Sequence, residues 1–137
     1  MVKCAGITVS TPGRVMVDIT GRVDEIVRGS GVSDGICHVF VHHTSASLTI
    51  NEKADPDVIR DLETYFERLV PDGHEMYRHR SEGPDDMSSH IRCALTESSV
   101  VVPVRNGALS LGTWQGVFLW EHRETPHQRR ISVTVLG

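Results

Sequence analysis

Between Cys37 and His43 apolar and polar positions alternate strictly. Cys37, Val39, Val41 and His43 therefore share one face of a predicted strand, and His38, Phe40 and His42 share the other. His43 continues an apolar face at a strand end. Upstream, Ile7 to Ser10 and Val15 to Thr20 read as two strands, and the turn signal Thr11-Pro12-Gly13 between them predicts a hairpin. Val23, Ile26 and Val27 then recur at helical spacing, and the run ends in Gly29-Ser30-Gly31, which predicts a short helix.

The strongest helical pattern runs from Asp55 to Val70. Val58, Ile59, Leu62, Tyr65, Phe66, Leu69 and Val70 form one stripe expected to cover a sheet. Asp55 is suited to the N-cap, Pro56 to the first helical position and Pro71 to the stop. A second helix is predicted from Met87 to Thr96 with Asp86 as N-cap, with Met87, Ile91, Ala94 and Leu95 inward and His90 bordering the buried stripe. The last third reads as strands: Val100 to Arg105, the turn Asn106-Gly107, Ala108 to Leu111, Trp114 to His122 and Ile131 to Leu136. Trp114 to Trp120 is apolar on both faces, so it is expected to be covered twice, by a second sheet or by another subunit.

Composition narrows the classes. A chain of 137 residues with 39% hydrophobic content suits a single domain, 1–137, with its own core. Its formal charge is -4 and its basic residues are dispersed apart from Arg129-Arg130, so no nucleic-acid partner is expected. No apolar run approaches the roughly 20 residues needed to span a bilayer. Met1-Val2-Lys3 lacks the apolar core of a signal peptide, and the expectation is a soluble cytoplasmic protein without a membrane partner. Cys4, Cys37 and Cys93 are odd in number and widely spaced, which argues against a disulfide framework and a thiolate zinc site.

Any metal would then be held by nitrogen and oxygen. His43, His79 and His90 come from a strand end, a loop and a helix, and the last two bracket the acidic loop Glu82-Gly83-Pro84-Asp85-Asp86. Each alone has a bland explanation: a satisfied strand-end imidazole, a solvated loop, a helix-surface residue. Together with Asp86 they can complete a histidine and carboxylate site with an open position, as catalytic zinc sites do. Thr44, Ser45 and Ser47 beside His43 either orient a ligand or cap a turn. Asn51-Glu52 places an amide and a carboxylate near a helix start, or simply ends a strand. Trp114 and Gln115, between Gly112 and Gly116, either line a ligand or mark close backbone packing. A serine triad through Ser45 or Ser47 is disfavoured, because no Gly-x-Ser-x-Gly elbow occurs. His38, His74, His122 and His127 have no clustered acidic partners and are read as surface residues.

These residues add up to a resemblance. His43-Thr44-Ser45-Ala46, Leu48-Thr49-Ile50-Asn51-Glu52, Asp55-Pro56-Asp57, Tyr77-x-His79, Glu82-Gly83, Asp86, His90, Pro103-Val104-Arg105-Asn106-Gly107 and Gly112-Thr113-Trp114-Gln115 resemble the YjbQ-like family over nearly the whole chain. That family is associated with a secondary thiamine-phosphate synthase activity. The resemblance implies an α+β fold, a two-sheet β-sandwich carrying two main helices and assembled as a homotrimer. It implies a site using the histidines at 43, 79 and 90 with a divalent metal, zinc or else magnesium. His43, Asp86 and Glu82 are the expected catalytic groups, with Asp86 preferred among the acidic residues, and Thr44, Ser45, Asn51, Trp114 and Gln115 are the expected substrate contacts.

The implied reaction joins a pyrimidine diphosphate to a thiazole phosphate with release of pyrophosphate, and a divalent ion would neutralise the leaving group. The chain has neither a Gly-rich phosphate loop nor an Arg cluster near His43, features that a dedicated diphosphate enzyme would be expected to use. The expected function is therefore a metal-associated transferase or hydrolase acting on a phosphorylated small molecule. The alternatives are a non-catalytic trimer that binds a metal or metabolite, and a purely structural trimer whose histidines are incidental.

Overall fold

Alternation along the strands sorts the chain into two sheets, each with one face apolar enough to press against the other. The computed structural model describes all residues, 1–137. In chain order the elements are β1 (Val2–Thr11), β2 (Val15–Asp18), α1 (Thr20–Gly29), β3 (Gly35–Val41), β4 (Ala46–Glu52), α2 (Pro56–Leu69), α3 (Asp86–Leu95), β5 (Ser99–Arg105), β6 (Ala108–Leu109), β7 (Gln115–Glu121) and β8 (His127–Leu136). One sheet has the order β1-β8-β3-β5-β6 and the other β2-β7-β4, with every pairing antiparallel. The protein is an α+β fold of two sheets and three helices.

The core lies between the sheets. Val39, Val41, Val102, Val104, Val133 and Val135 face Leu48, Val117 and Leu119 across it, and Val23 and Val27 of α1 close it. Such a valine-rich interior follows from strand preference for β-branched side chains. The predicted face of β3 is confirmed, since Cys37, Val39 and Val41 are buried and His38 and Phe40 are not. The Asn106-Gly107 turn is confirmed with positive φ at both residues, 51° and 74°.

Four expectations change. Thr11-Pro12-Gly13 does not close a hairpin: β1 pairs with β8 and β2 with β7, so the turn carries the chain from one sheet to the other. The strand alternation is right, but a turn signal does not say which sheet receives the next strand. The second change concerns α2. Asp55 caps it by accepting from the Asp57 N–H at 2.9 Å, as predicted; Ile59, Leu62 and Phe66 of its stripe pack onto Met16, Phe118 and Trp120, and Val70 just past its end is buried, but the rest of the stripe is not. Tyr65 and Leu69 are exposed. Phe66 meets Trp120 edge to face at 4.8 Å between ring centroids, and Trp120 Nε1 donates to Glu63 Oε1 at 2.7 Å.

Third, this packing covers the second face of β7 from within the chain. Val117 and Leu119 meet the other sheet while Phe118 and Trp120 meet α2, and Trp114 lies outside the strand and exposed. The apolarity of that strand is thus explained without a partner subunit. Finally, α3 buries the face opposite to the one expected. Asp86, Ser88, Ser89 and Arg92 are buried and Leu95 is exposed, because Asp86 and the two serines bond other buried groups; the Arg92 guanidinium is tied only through Nη2, to the Val70 carbonyl at 3.3 Å, and its Nε and Nη1 have no partner. The Ser89 hydroxyl shares its one hydrogen between the Asp85 and His122 carbonyls, at 2.5 and 2.9 Å, and Ser88 bonds Asp72. The N-cap position is Asp85 rather than Asp86. No helix is long and apolar enough to cross a membrane.

Candidate functional site

The polar face of α3 brings together part of the histidine set. Asp86 and His90 are four residues apart, so they project from the same side of the helix. The loop before the helix returns His79 to the same point, and Asp86 Oδ2 lies 2.6 Å from His79 Nε2 and 3.0 Å from His90 Nε2. One ligand atom from each of the three lies within 4.8 Å of the others. Asp86 is almost fully buried (2%), whereas His79 and His90 are partly exposed.

The surroundings hold these groups in place. Arg123, at the end of β7, spans the loop: Nη1 donates to Asp86 Oδ1 at 2.8 Å, Nε to Asp85 Oδ2 at 3.0 Å and Nη2 to the Glu82 carbonyl at 2.9 Å. Asp85 Oδ2 also accepts the Glu124 N–H at 2.8 Å. Burial pushes the Asp86 carboxyl up, but the His79 hydrogen bond and the nearby His90 and Arg123 charges outweigh it and hold the group below its ordinary range. Asp85 is also held low, with burial overcome by Arg123 and the Glu124 N–H.

The hydrogen bonds of His90 leave room for a cation. Nδ1 lies 2.7 Å from the Thr44 carbonyl oxygen, which can only accept, so Nδ1 carries the hydrogen. A neutral His90 then turns the lone pair of Nε2 toward the lone pairs of a carboxylate oxygen 3.0 Å away. That contact requires a positive centre, either a second proton on the ring or a metal ion. Two imidazoles and a carboxylate with both outer sides tied, to Thr44 and to Arg123, match a three-ligand zinc site with an open position. The 2.6 and 3.0 Å separations are tighter than the ~3.3 Å ligand edge expected from ~2.0–2.1 Å bonds in a tetrahedral site. The exposed His79 ring is the member free to give way.

The other expected site residues fall in three places. His43 stands outside the trio: its Nε2 accepts the Arg130 N–H at 2.8 Å, and it lines an open cleft of about 450 Å³ with Phe40, His42, Thr44, Ser98 and Arg130. Burial, then Arg129 and Arg130, lower its pKa. Thr44 joins the trio only through its carbonyl, and Ser45 is buried against Arg129, which donates to its Oγ at 2.9 Å. Glu82 contributes its backbone carbonyl to Arg123.

Asn51 and Gln115 sit at the far end of the β4–β7 ladder, where Asn51 pairs with Gly116 and Glu52 with Gln115. With Trp114 they lie six strand residues, roughly 20 Å, from the end that carries His122 and Arg123. Asn51 Oδ1 accepts the Glu52 N–H and Gln115 Oε1 the Gly112 N–H, so both amides serve local turns. Arg123 has no local sequence signal. It is one cation after a strand, and only the fold shows that it faces an acidic loop 37 residues away.

His122, read as a surface residue, is fully buried, and its Nε2 lies 2.8 Å from Ser47 Oγ. This is no triad, since Nδ1 has no partner and neither residue is accessible. Burial, then the Arg92, Arg14 and Arg129 charges, lower its pKa to about 3. An unfolded histidine titrates near 6.5, so between those values the unfolded chain binds more protons and stability rises with pH. The contribution is complete above the unfolded value and is lost as pH falls toward 3. Unfolding in urea at pH 7 and pH 5 should show a loss of about 2 kcal/mol at the lower pH. An equal loss in His122→Gln would assign the effect elsewhere.

The comparisons with known proteins agree with this architecture. A UPF0047 protein of Synechocystis is 53% identical over 131 residues, covering 96% of this chain and 89% of that protein. The UPF0047 protein YjbQ of Escherichia coli O157:H7 is 48% identical over 106 residues, 77% of this chain and 76% of its own. A crystal structure of a YjbQ/UPF0047 protein from Clostridium acetobutylicum superposes with a TM-score of 0.88 at 38% identity, covering 96% of this chain and 99% of that one. A YjbQ-like protein of Sulfolobus solfataricus gives 0.87 at 29% identity, covering 100% and 99%. The profile described as "UPF0047 protein YjbQ-like" matches residues 5–137, and the chain belongs to that family.

Proposed function

We propose that this chain is a metal-dependent enzyme acting on a phosphorylated small molecule, with His79, Asp86 and His90 holding a divalent ion. The observation that carries the reading is the hydrogen bond from His90 Nδ1 to the Thr44 carbonyl, which leaves Nε2 as a ligand nitrogen aimed at Asp86. Two imidazole donors favour zinc over magnesium. When bound, the ion would neutralise charge developing on a phosphate or diphosphate oxygen. Arg123 keeps Asp86 ionised and turned toward the histidines, and Thr44 fixes the His90 tautomer.

The specific reaction we favour is the one the resemblance implies: transfer of a pyrimidine group from its diphosphate to a thiazole phosphate, with pyrophosphate leaving. A non-catalytic binding role is the second reading. It is favoured by one observation: Asp86 and His90 are wholly committed, to Arg123, to Thr44 or to another member, which leaves His79 Nδ1 as the one polar atom of the trio without a partner. We also propose self-association as a homotrimer through the outer face of the five-stranded sheet, where Ile36, Phe40 and Val101 remain exposed. A stable monomer by sedimentation at micromolar concentration would remove that proposal.

Metal analysis of protein purified without a histidine tag should find close to one zinc per chain. Turnover of phosphorylated substrates should disappear with chelator and return with zinc. Metal-free protein that gains none from added zinc would overturn the reading; bound zinc with no turnover would select the binding role.

A further inference from the structure

We infer that the cavity beside His79 is an oxyanion pocket that receives a phosphate group of the substrate, an inference that rests on the metal-dependent reading of the neighbouring trio. The cavity holds about 300 Å³ and is lined by His74, Tyr77, His79, Arg80 and the glycines Gly73 and Gly83, among others. That volume is at the small end of ligand sites, suited to a compact group.

Its polar walls are donors. His74 Nδ1 accepts the Met76 N–H at 3.1 Å, so in the neutral ring the hydrogen sits on Nε2. Arg80 is anchored by two backbone carbonyls, Nε to Tyr77 and Nη2 to Glu75, each at 2.6 Å, which leaves Nη1 unpaired. The guanidinium is thus positioned without being neutralised by a carboxylate. With Nε2 given to the ion beside Asp86, the hydrogen of the neutral His79 ring sits on Nδ1, its outward donor. The Tyr77 hydroxyl donates to the Pro71 carbonyl at 2.9 Å and serves as wall. No carboxylate lines the cavity.

A charged fork, an imidazole N–H and a second imidazole that also touches the metal trio match a tetrahedral, multiply charged oxyanion. His79 belongs to both sites, so a phosphate seated here would lie next to the ion. The loop that forms the pocket is closed by the Gly73 N–H on the Pro84 carbonyl at 2.8 Å, with Gly73 and Gly83 at φ +61° and +104°. These are backbone angles that side chains rarely adopt.

The test is titration of inorganic phosphate into zinc-supplemented full-length protein, followed by calorimetry, with the zinc content of each sample measured. Wild type should bind phosphate. Arg80→Gln should bind it about tenfold more weakly or worse, at unchanged zinc content. His74→Asn, whose amide oxygen can still accept the Met76 N–H, should also bind several-fold more weakly while leaving both Arg80 anchors intact. Phosphate held by the ion alone would be indifferent to both substitutions, and that result overturns the pocket. So does zinc-loaded wild type that binds no phosphate. Phosphate binding that weakens in both variants, in protein that takes up no zinc, would instead uphold the pocket and remove the metal-dependent reading.

Discussion

Asp86→Ala is expected to abolish zinc retention and to lower stability by about 3 kcal/mol. The carboxylate is buried, and one oxygen serves Arg123 while the other serves both imidazoles. Its removal leaves the Arg123 charge, only 14% exposed, with Asp85 as its remaining acidic partner, which puts the cost at the low end for a broken buried pair. Loss of a direct ligand should reduce metal affinity by at least about a hundredfold, the upper range seen for residues that merely support ligands. Asp86→Asn separates the two effects. The amide oxygen can still accept from Arg123, so stability should largely return while zinc affinity does not. Full zinc occupancy in Asp86→Asn, measured by competition with a chromogenic chelator, would show that Asp86 is a structural anchor for Arg123 and not a ligand.

The largest loss of stability is expected for Glu121→Ala, about 3–5 kcal/mol by urea unfolding. Glu121 is fully buried at the end of β7. It accepts from Thr11 Oγ1 at 2.6 Å and from Arg129 Nε at 2.7 Å on one oxygen, and from the Arg123 N–H at 3.1 Å and Arg129 Nη2 on the other. Burial pushes its pKa up, but Arg129 and the other donors hold it below the ordinary value. Deleting it strands the Arg129 guanidinium in the interior with only Ser45 as a side-chain partner. The paired change Glu121→Leu with Arg129→Met removes both charges and should recover most of the loss, since the stranded charge dominates the cost. A Glu121→Ala protein within about 1 kcal/mol of wild type would mean that water reaches Arg129.

The two pairs differ in how far they could be read from the chain. Asp86 and His90 are visible because helical spacing of four places them together once the helix is recognised. Arg129 and Glu121 are not, because both sit in segments whose alternation reads as ordinary strand. Burial of a charge depends on what packs over it, and here Thr11 lies 110 residues from Glu121 and Ser45 lies 84 from Arg129. The same reason hid His122, whose burial comes from residues of α3 and β4 that lie 33 and 75 positions away. His43 was legible as the end of an apolar face. Its engagement with the Arg130 N–H, 87 residues away, was not.

Local periods follow from the order of residues alone: strands where apolar residues alternate, the capped helix from Pro56, and the Asn106-Gly107 reversal. Each depends on neighbours within a few positions, where side-chain direction follows from backbone geometry alone. Tertiary structure decided which strands share a sheet, which face of α3 turns inward, and which histidines meet. It split the expected set, joining His79 and His90 at Asp86 under Arg123, leaving His43 in its own cleft and placing Asn51 and Gln115 at the far end of a ladder. Those outcomes depend on strand register and on hydrogen bonds that satisfy buried groups, and both are set by residues far apart in the chain.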